Sequence, residues 1–174
     1  MKKLKQLNPN VFIILGLTVQ GSLAVSTVGS LGYFFYVFLT NETLRQIVII
    51  WQLINPVAIA MLSLLIPKPG IRVGAAACAV MNIVFVFAPD NGAVLLLFTV
   101  FMLYLFYAFA FAYKRGDLAI SAGINTLMIL PLVITGLFFP EFMFVFFAPV
   151  SWIAFTVFYI SLLVSRVFEG GAEA

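Results

Sequence analysis

Gln52 and Asn55 stand three residues apart in WQLINPVAIAMLSLLIP, residues 51–67, with Pro56 directly behind them. On a helix that spacing puts both amides on one face. Amides donate and accept hydrogen bonds without carrying charge, so the chemistry they offer is recognition of a neutral molecule. Pro56 has no N–H to give, which leaves the carbonyl of Gln52 without its helical partner. In hydrocarbon an unsatisfied backbone group is costly, so the two amides serve the backbone, a ligand, or both. Two further amides, Asn82 and Asn125, fall inside apolar runs, and Pro131 follows the second. Gln52, Asn55, Asn82 and Asn125 are the candidate ligand-binding residues; Pro56 and Pro131 are the candidate hinges.

Other chemistries lack their residues. The chain has no histidine and one cysteine, Cys78, within an apolar run. A disulfide framework, a metal cluster and histidine acid–base chemistry therefore have no basis, and neither a metal nor a cofactor is expected. Every Asp, Glu, Lys and Arg falls in a loop, a tail or a span end. An ionisable group deep in a membrane span is a default functional site. Its absence argues against a carboxylate proton relay and against a voltage sensor. Glu42, Asp90, Asp117 and Glu141 stand alone in separate connectors. No nucleophile has an evident base and no glycine-rich phosphate loop occurs, so an enzyme is not expected. Nothing resembles a nucleic-acid-binding domain.

The elements that must position the amides are membrane helices. Charged residues make up 9% of the 174 residues and hydrophobic ones 64%, against about 25% charged in soluble domains. Apolar stretches occur at about 11–39, 46–66, 71–88, 92–113, 118–138 and 142–165. Each is near or above the length needed to cross the hydrocarbon core, about 17–25 residues. None alternates at period two, so a transmembrane barrel is not indicated. The expected fold is all-α: one six-transmembrane-helix bundle, with residues 166–174 as a disordered tail. The first stretch is too long for a signal-peptide core and reads as a retained span, tilted or bent near Gly29 and Gly32. The connectors TNETLRQ, PKPG, APDNG, KRGD and FPE are short, so successive spans are antiparallel neighbours. Asn41-Glu42-Thr43 also matches a glycosylation acceptor.

Charge sets the expected orientation. With the N-terminus inside, Lys2, Lys3, Lys5, Lys68, Arg72, Lys114, Arg115 and Arg166 are all inside, and Arg45 alone is outside. Both termini are thus expected in the cytoplasm of a plasma-membrane protein.

Small and polar residues recur at a spacing of four: Gly16, Gln20 and Ala24; Ser22, Ser26 and Ser30; Gly74, Cys78 and Asn82; Ser121 and Asn125. Such stripes are the ordinary seams between membrane helices. The ring-dense runs 101–113 and 142–152 read as seam or lipid-facing residues. Six spans divide as three plus three, which pairs span two with span five. Interruptions at matching positions in two inverted halves point to a transporter's midplane site. The reading is a small membrane component that transports or binds a neutral or lipophilic molecule. The alternative is a non-catalytic accessory subunit of a larger membrane complex. The expected partners are the lipid bilayer and, through the small-residue faces, other membrane subunits.

Overall fold

The computed structural model describes residues 8–30, 33–66, 68–88, 91–138 and 140–168; of residues 35, 39, 136, 137 and 140–145 it describes the backbone only. The N-terminal lysines, Asp90 and residues 169–174 of the expected tail lie outside the described residues. All regular structure among the described residues is helical: α1 (Pro9–Gly29), α2 (Tyr33–Thr40), α3 (Glu42–Gln52), α4 (Ile54–Leu65), α5 (Pro69–Phe87), α6 (Gly92–Tyr113), α7 (Gly116–Phe138) and α8 (Pro140–Val164).

Six segments are long and apolar enough to cross a membrane: Pro9–Gly29, Glu42–Leu65, Pro69–Phe87, Gly92–Tyr113, Gly116–Thr135 and Phe146–Val164. Asparagines start three of them or their leading helices. The Asn8 side chain accepts from the Asn10 N–H at 3.0 Å, Asn41 from Leu44 at 3.0 Å, and Asn91 from Ala93 and Val94 at 3.0 and 3.2 Å. Each satisfies donors that a helix start leaves open. Pro9 and Pro69 occupy first-turn positions, where a missing N–H costs nothing. Lys114 ends α6 in the left-handed conformation, φ 52°.

The first expected span divides in two. Ser30 folds its hydroxyl back onto the Ser26 carbonyl at 2.6 Å, and the same oxygen accepts the Phe34 N–H at 2.9 Å. It therefore closes α1 and opens α2, a local side-chain competition with the helix ladder. At eight residues α2 is too short to cross. Span two begins earlier than expected, at Glu42, because Asn41 caps it and Glu42 suits the positive helix start. Its hydrogen-bond ladder lapses at Leu53, three residues ahead of Pro56, whose missing N–H leaves the Gln52 carbonyl open, while Leu53 itself keeps helical angles, φ −62° and ψ −16°. Pro131 and Pro149, by contrast, sit inside continuous helices.

The spans form a closed ring. α1 packs on α4, α4 on α5, α5 on α6, α6 on α7, α7 on α8, and α8 returns to α1. Aromatic side chains of α5, α6 and α8 fill the interior. Phe85 stacks on Phe98 (5.0 Å), Phe98 on Phe155 (6.1 Å), Phe155 edges onto Phe106 (5.6 Å), and Phe106 meets Phe158 (4.7 Å). Phe109 and Phe168 continue the column. These rings fill the centre of the ring as interdigitated rotamers do in any close-packed interior.

Two glycines let large rings close the seams. A Cβ on Gly16 would lie 2.3 Å from the Tyr159 ring, and one on Gly74 would lie 1.7 Å from the Tyr104 ring. The Gly16–Gln20–Ala24 and Gly74–Cys78–Asn82 stripes are buried, as are Ser121 and Asn125. The serine stripe is not a buried seam: Ser22 and Ser26 face outward and Ser30 is half-buried. The Ser22 hydroxyl donates to the Val19 carbonyl of its own helix at 2.9 Å and accepts from Trp51 Nε1 of α3 at 3.1 Å, and the Ser30 hydroxyl donates to the Ser26 carbonyl.

Candidate functional site

The α3 face that carries Arg45, Ile49 and Gln52 is the wall of a cleft against α2, α5 and α8. This outer space, about 60 Å3, is lined also by Phe38, Phe85, Val86, Ala148 and Trp152. It shares Gln52, Phe85, Val86 and Trp152 with an inner chamber that adds Gln20, Asn82, Phe98, Ser151 and Phe155. The chamber holds about 10 Å3, near the space of one water molecule. Gln52 stands ten residues beyond Glu42, about 15 Å along the axis, half the thickness of a hydrocarbon core of about 30 Å. The two spaces therefore run from the Arg45 end to the middle of the Glu42–Leu65 segment.

The Ser151 hydroxyl donates to the Ala148 carbonyl at 2.8 Å, but the chamber's amides are poorly satisfied. Gln20 is 2% exposed, and its Oε1 has no hydrogen-bond partner among the described residues. Neither Gln52 nor Asn82 makes a side-chain hydrogen bond to another described residue. An unsatisfied buried carbonyl costs about 1–3 kcal/mol. At the mouth, Arg45 pairs with Glu42 at 3.3 Å, with both side chains substantially exposed.

One helical turn from Gln20 toward the other end, Gly16 makes room for Tyr159. The Tyr159 hydroxyl donates to Asn55 Oδ1 at 2.7 Å, and both residues are fully buried. Phe155 lines the chamber and stacks on Tyr159 at 6.3 Å. The Tyr159–Asn55 bond thus joins α8 to α4 just beyond the chamber floor. Pro56, also buried, follows Asn55 in the first turn of α4.

The four sequence-predicted amides divide by environment. Gln52 and Asn82 line one chamber. Asn55 binds Tyr159 beyond it, while its Nδ2 lacks a partner among the described residues. Asn125 lies elsewhere, on the α7–α8 seam, where its Nδ2 donates to the Ala154 carbonyl at 3.1 Å and its Oδ1 has no partner among the described residues. Pro131 is exposed, and its carbonyl accepts from Thr135 Oγ1 at 2.8 Å. Sequence reasoning placed Gln20 in a seam and singled out neither Ser151 nor Tyr159. A signal for Tyr159 existed: a phenol in mid-span needs a hydrogen-bond partner, and amides are its available acceptors.

No charged group enters the chamber, and Cys78 is fully buried. No cluster of three His, Cys, Asp or Glu exists among the described residues. The arrangement offers hydrogen-bond donors and acceptors to something small and uncharged. Comparison with protein-family models, with curated proteins and with solved structures finds no match to this chain.

Proposed function

We propose that this multi-pass membrane protein binds a small neutral polar solute at the Gln20–Gln52–Asn82 chamber and passes it across the membrane. The observation that carries the reading is the buried, unpartnered Gln20 carbonyl at the inner end of a cleft that opens past Arg45. A protein keeps an unsatisfied buried acceptor at a stability cost, and acceptance of a ligand donor offsets it. The solute is small, because the inner chamber has room for little more than a water. The route is off-centre, between α1, α3, α5 and α8, since aromatic rings fill the middle. The Tyr159–Asn55 bond is the barrier, and the Leu53 break ahead of Pro56 is the joint on which α4 moves Asn55 away from Tyr159.

The orientation we favour puts both termini in the cytoplasm of a plasma membrane. Lys68, Arg72, Lys114, Arg115 and Arg166 collect at one end, and Arg45 alone lies at the other among the described residues. The cleft then opens outward.

The test is light scattering from proteoliposomes, with water, in osmotic flow, and urea, in solute-driven swelling, as the two probes. Wild-type protein should accelerate entry of at least one probe over protein-free vesicles. Gln20→Leu should reduce that entry on the order of tenfold, the equivalent of one hydrogen bond. Equal entry with and without protein for both probes, or full activity in Gln20→Leu, overturns the reading. The second reading, an accessory subunit, draws on Ser26 and Gly29, which present a small-residue surface on the exposed side of α1. It requires stoichiometric co-purification of a second membrane protein from native membranes in mild detergent.

A further inference from the structure

At the basic end, a groove of about 430 Å3 lies between the start of α5 and the end of α6. Tyr104, Tyr107, Ala108 and Phe111 floor it from one face of α6, Ile71 walls it, and Lys68 stands at its mouth. It is far from the amide chamber and shares no residue with it. Beside the groove, a Cβ on Gly70 would meet open space, and Gly74 yields its place to Tyr104. The Tyr104 hydroxyl donates to the Gly70 carbonyl at 3.1 Å, which pins the ring across the head of the groove.

The mouth is built for an anion. Lys68 is the N-cap residue of α5 and gives its first-turn N–H groups no side-chain acceptor. Those groups carry the positive end of a 19-residue helix. The Lys68 ammonium reaches the Ala112 carbonyl at 2.9 Å, which engages one of its three N–H donors. Two donors remain, directly above an apolar trough that faces lipid. Arg72 lies at the same end but is held on the Ile66 carbonyl at 2.8 Å, so Lys68 is the cation the groove itself presents. A cationic mouth over an apolar groove matches one chemistry, an anionic head carrying an acyl chain. We infer that this groove is a binding site for one anionic phospholipid, with the phosphate at Lys68 and the α5 N-terminus and an acyl chain along Ala108 and Phe111.

Native mass spectrometry of the full-length protein in mild detergent tests this, with phosphatidylglycerol and phosphatidylcholine of matched chains as probes. Wild-type protein should carry one phosphatidylglycerol in preference to phosphatidylcholine. Lys68→Gln should cut the phosphatidylglycerol preference about fivefold, the equivalent of about 1 kcal/mol for one interfacial lysine. Lys114→Gln removes a charge from the same end but not from the groove, and should leave the preference intact. Ala112→Leu narrows the trough and should lower occupancy by both lipids. Should Ala112→Leu fail to fold, the Lys68→Gln and Lys114→Gln comparison still decides. Equal binding of the two lipids, or an unchanged preference in Lys68→Gln, overturns the inference. So does displacement of the lipid by millimolar inorganic phosphate, which would mark a site for free phosphate instead.

Discussion

Replacing Tyr159 with phenylalanine deletes a single hydroxyl and leaves the ring that fills the space over Gly16. The partner left behind is Asn55 Oδ1, fully buried and 2.7 Å from the lost oxygen. Asn55 Nδ2 already lacks a partner among the described residues, so Tyr159→Phe strands both ends of the amide. An acceptor stranded in a water-excluded interior costs about 1–3 kcal/mol. Interhelical hydrogen bonds measured in membranes average about 0.6 and reach about 1.7 kcal/mol. The full burial of both partners puts this bond at the upper end, about 1.5 kcal/mol. Asn55→Leu should cost less, because it removes the unpartnered Nδ2 together with the acceptor. Once both polar partners are gone nothing remains unsatisfied, so the double variant should be more stable than Tyr159→Phe alone. The assay is reversible unfolding by titration with a denaturing detergent, run as a double-mutant cycle. If the two costs add within about 0.5 kcal/mol, the residues are energetically independent, and the bond does not hold α4 to α8.

Four further outcomes follow from the same coordinates. Gly16→Ala should destabilise by about 1–3 kcal/mol, because its new carbon would lie 2.3 Å from a tyrosine ring that is wholly buried; unfolding titration measures it, and Tyr159→Ala should relieve it. Gly74→Ala should cost less despite a closer approach of 1.7 Å, since Tyr104 is 43% exposed and its ring can move outward at the cost of its solvent-side hydrogen bond to the Gly70 carbonyl. Lys114→Gly should stabilise by about 1 kcal/mol in the same titration, because glycine holds the left-handed conformation at φ 52° without the Cβ penalty. Gln20→Leu should leave stability unchanged or raise it by about 1 kcal/mol, since it deletes a buried acceptor with no partner; a large loss would show that Gln20 is a structural strut.

The spans were legible because hydropathy over about twenty residues decides them, and Asn8, Asn41, Asn91, Pro9 and Pro69 mark helix starts by local chemistry alone. The break in span two was legible for the same reason: Pro56 acts on the carbonyl of Gln52 within one turn. The division of the first stretch was legible in part: a bend was expected near Gly29 and Gly32, and α1 ends at Gly29, but the cap that ends it was not foreseen. Hydropathy stays high from Val11 through Leu39, and the stop depends on one serine, Ser30, that turns its hydroxyl back on the backbone. The stripes show the limit of spacing. Ser22–Ser26–Ser30 and Gly16–Gln20–Ala24 share one helix and one period, yet one faces outward and the other inward. Period four places residues on a common face but does not say which face the neighbours cover. That choice is made by Tyr159, 143 positions after Gly16 in the chain, whose ring needs the space that only a glycine leaves.

Ring closure also explains why polarity collects where it does. In a ring of six helices the middle is a natural channel, but here Phe85, Phe98, Phe155, Phe106 and Phe158 occupy it. Rings packed against one another, stacked and edge-on, present no polar group to solvate a passing molecule. The amides lie instead at the margin, where α3 gives way to α4. The break at Leu53 lets the Arg45–Ile49–Gln52 face of α3 stand over a cleft while α4 returns to the bundle with Asn55 and Pro56 buried. The proline that looks like a defect in span two is thus what separates a wall with open hydrogen-bonding groups from a seam where Asn55 is tied to Tyr159. A change that restores the helix, Pro56→Ala, supplies the missing N–H to the Gln52 carbonyl and should shrink the cleft. Slower solute entry in the proteoliposome assay, with stability equal or higher, is the expected result; entry at the wild-type rate would remove the break from the mechanism.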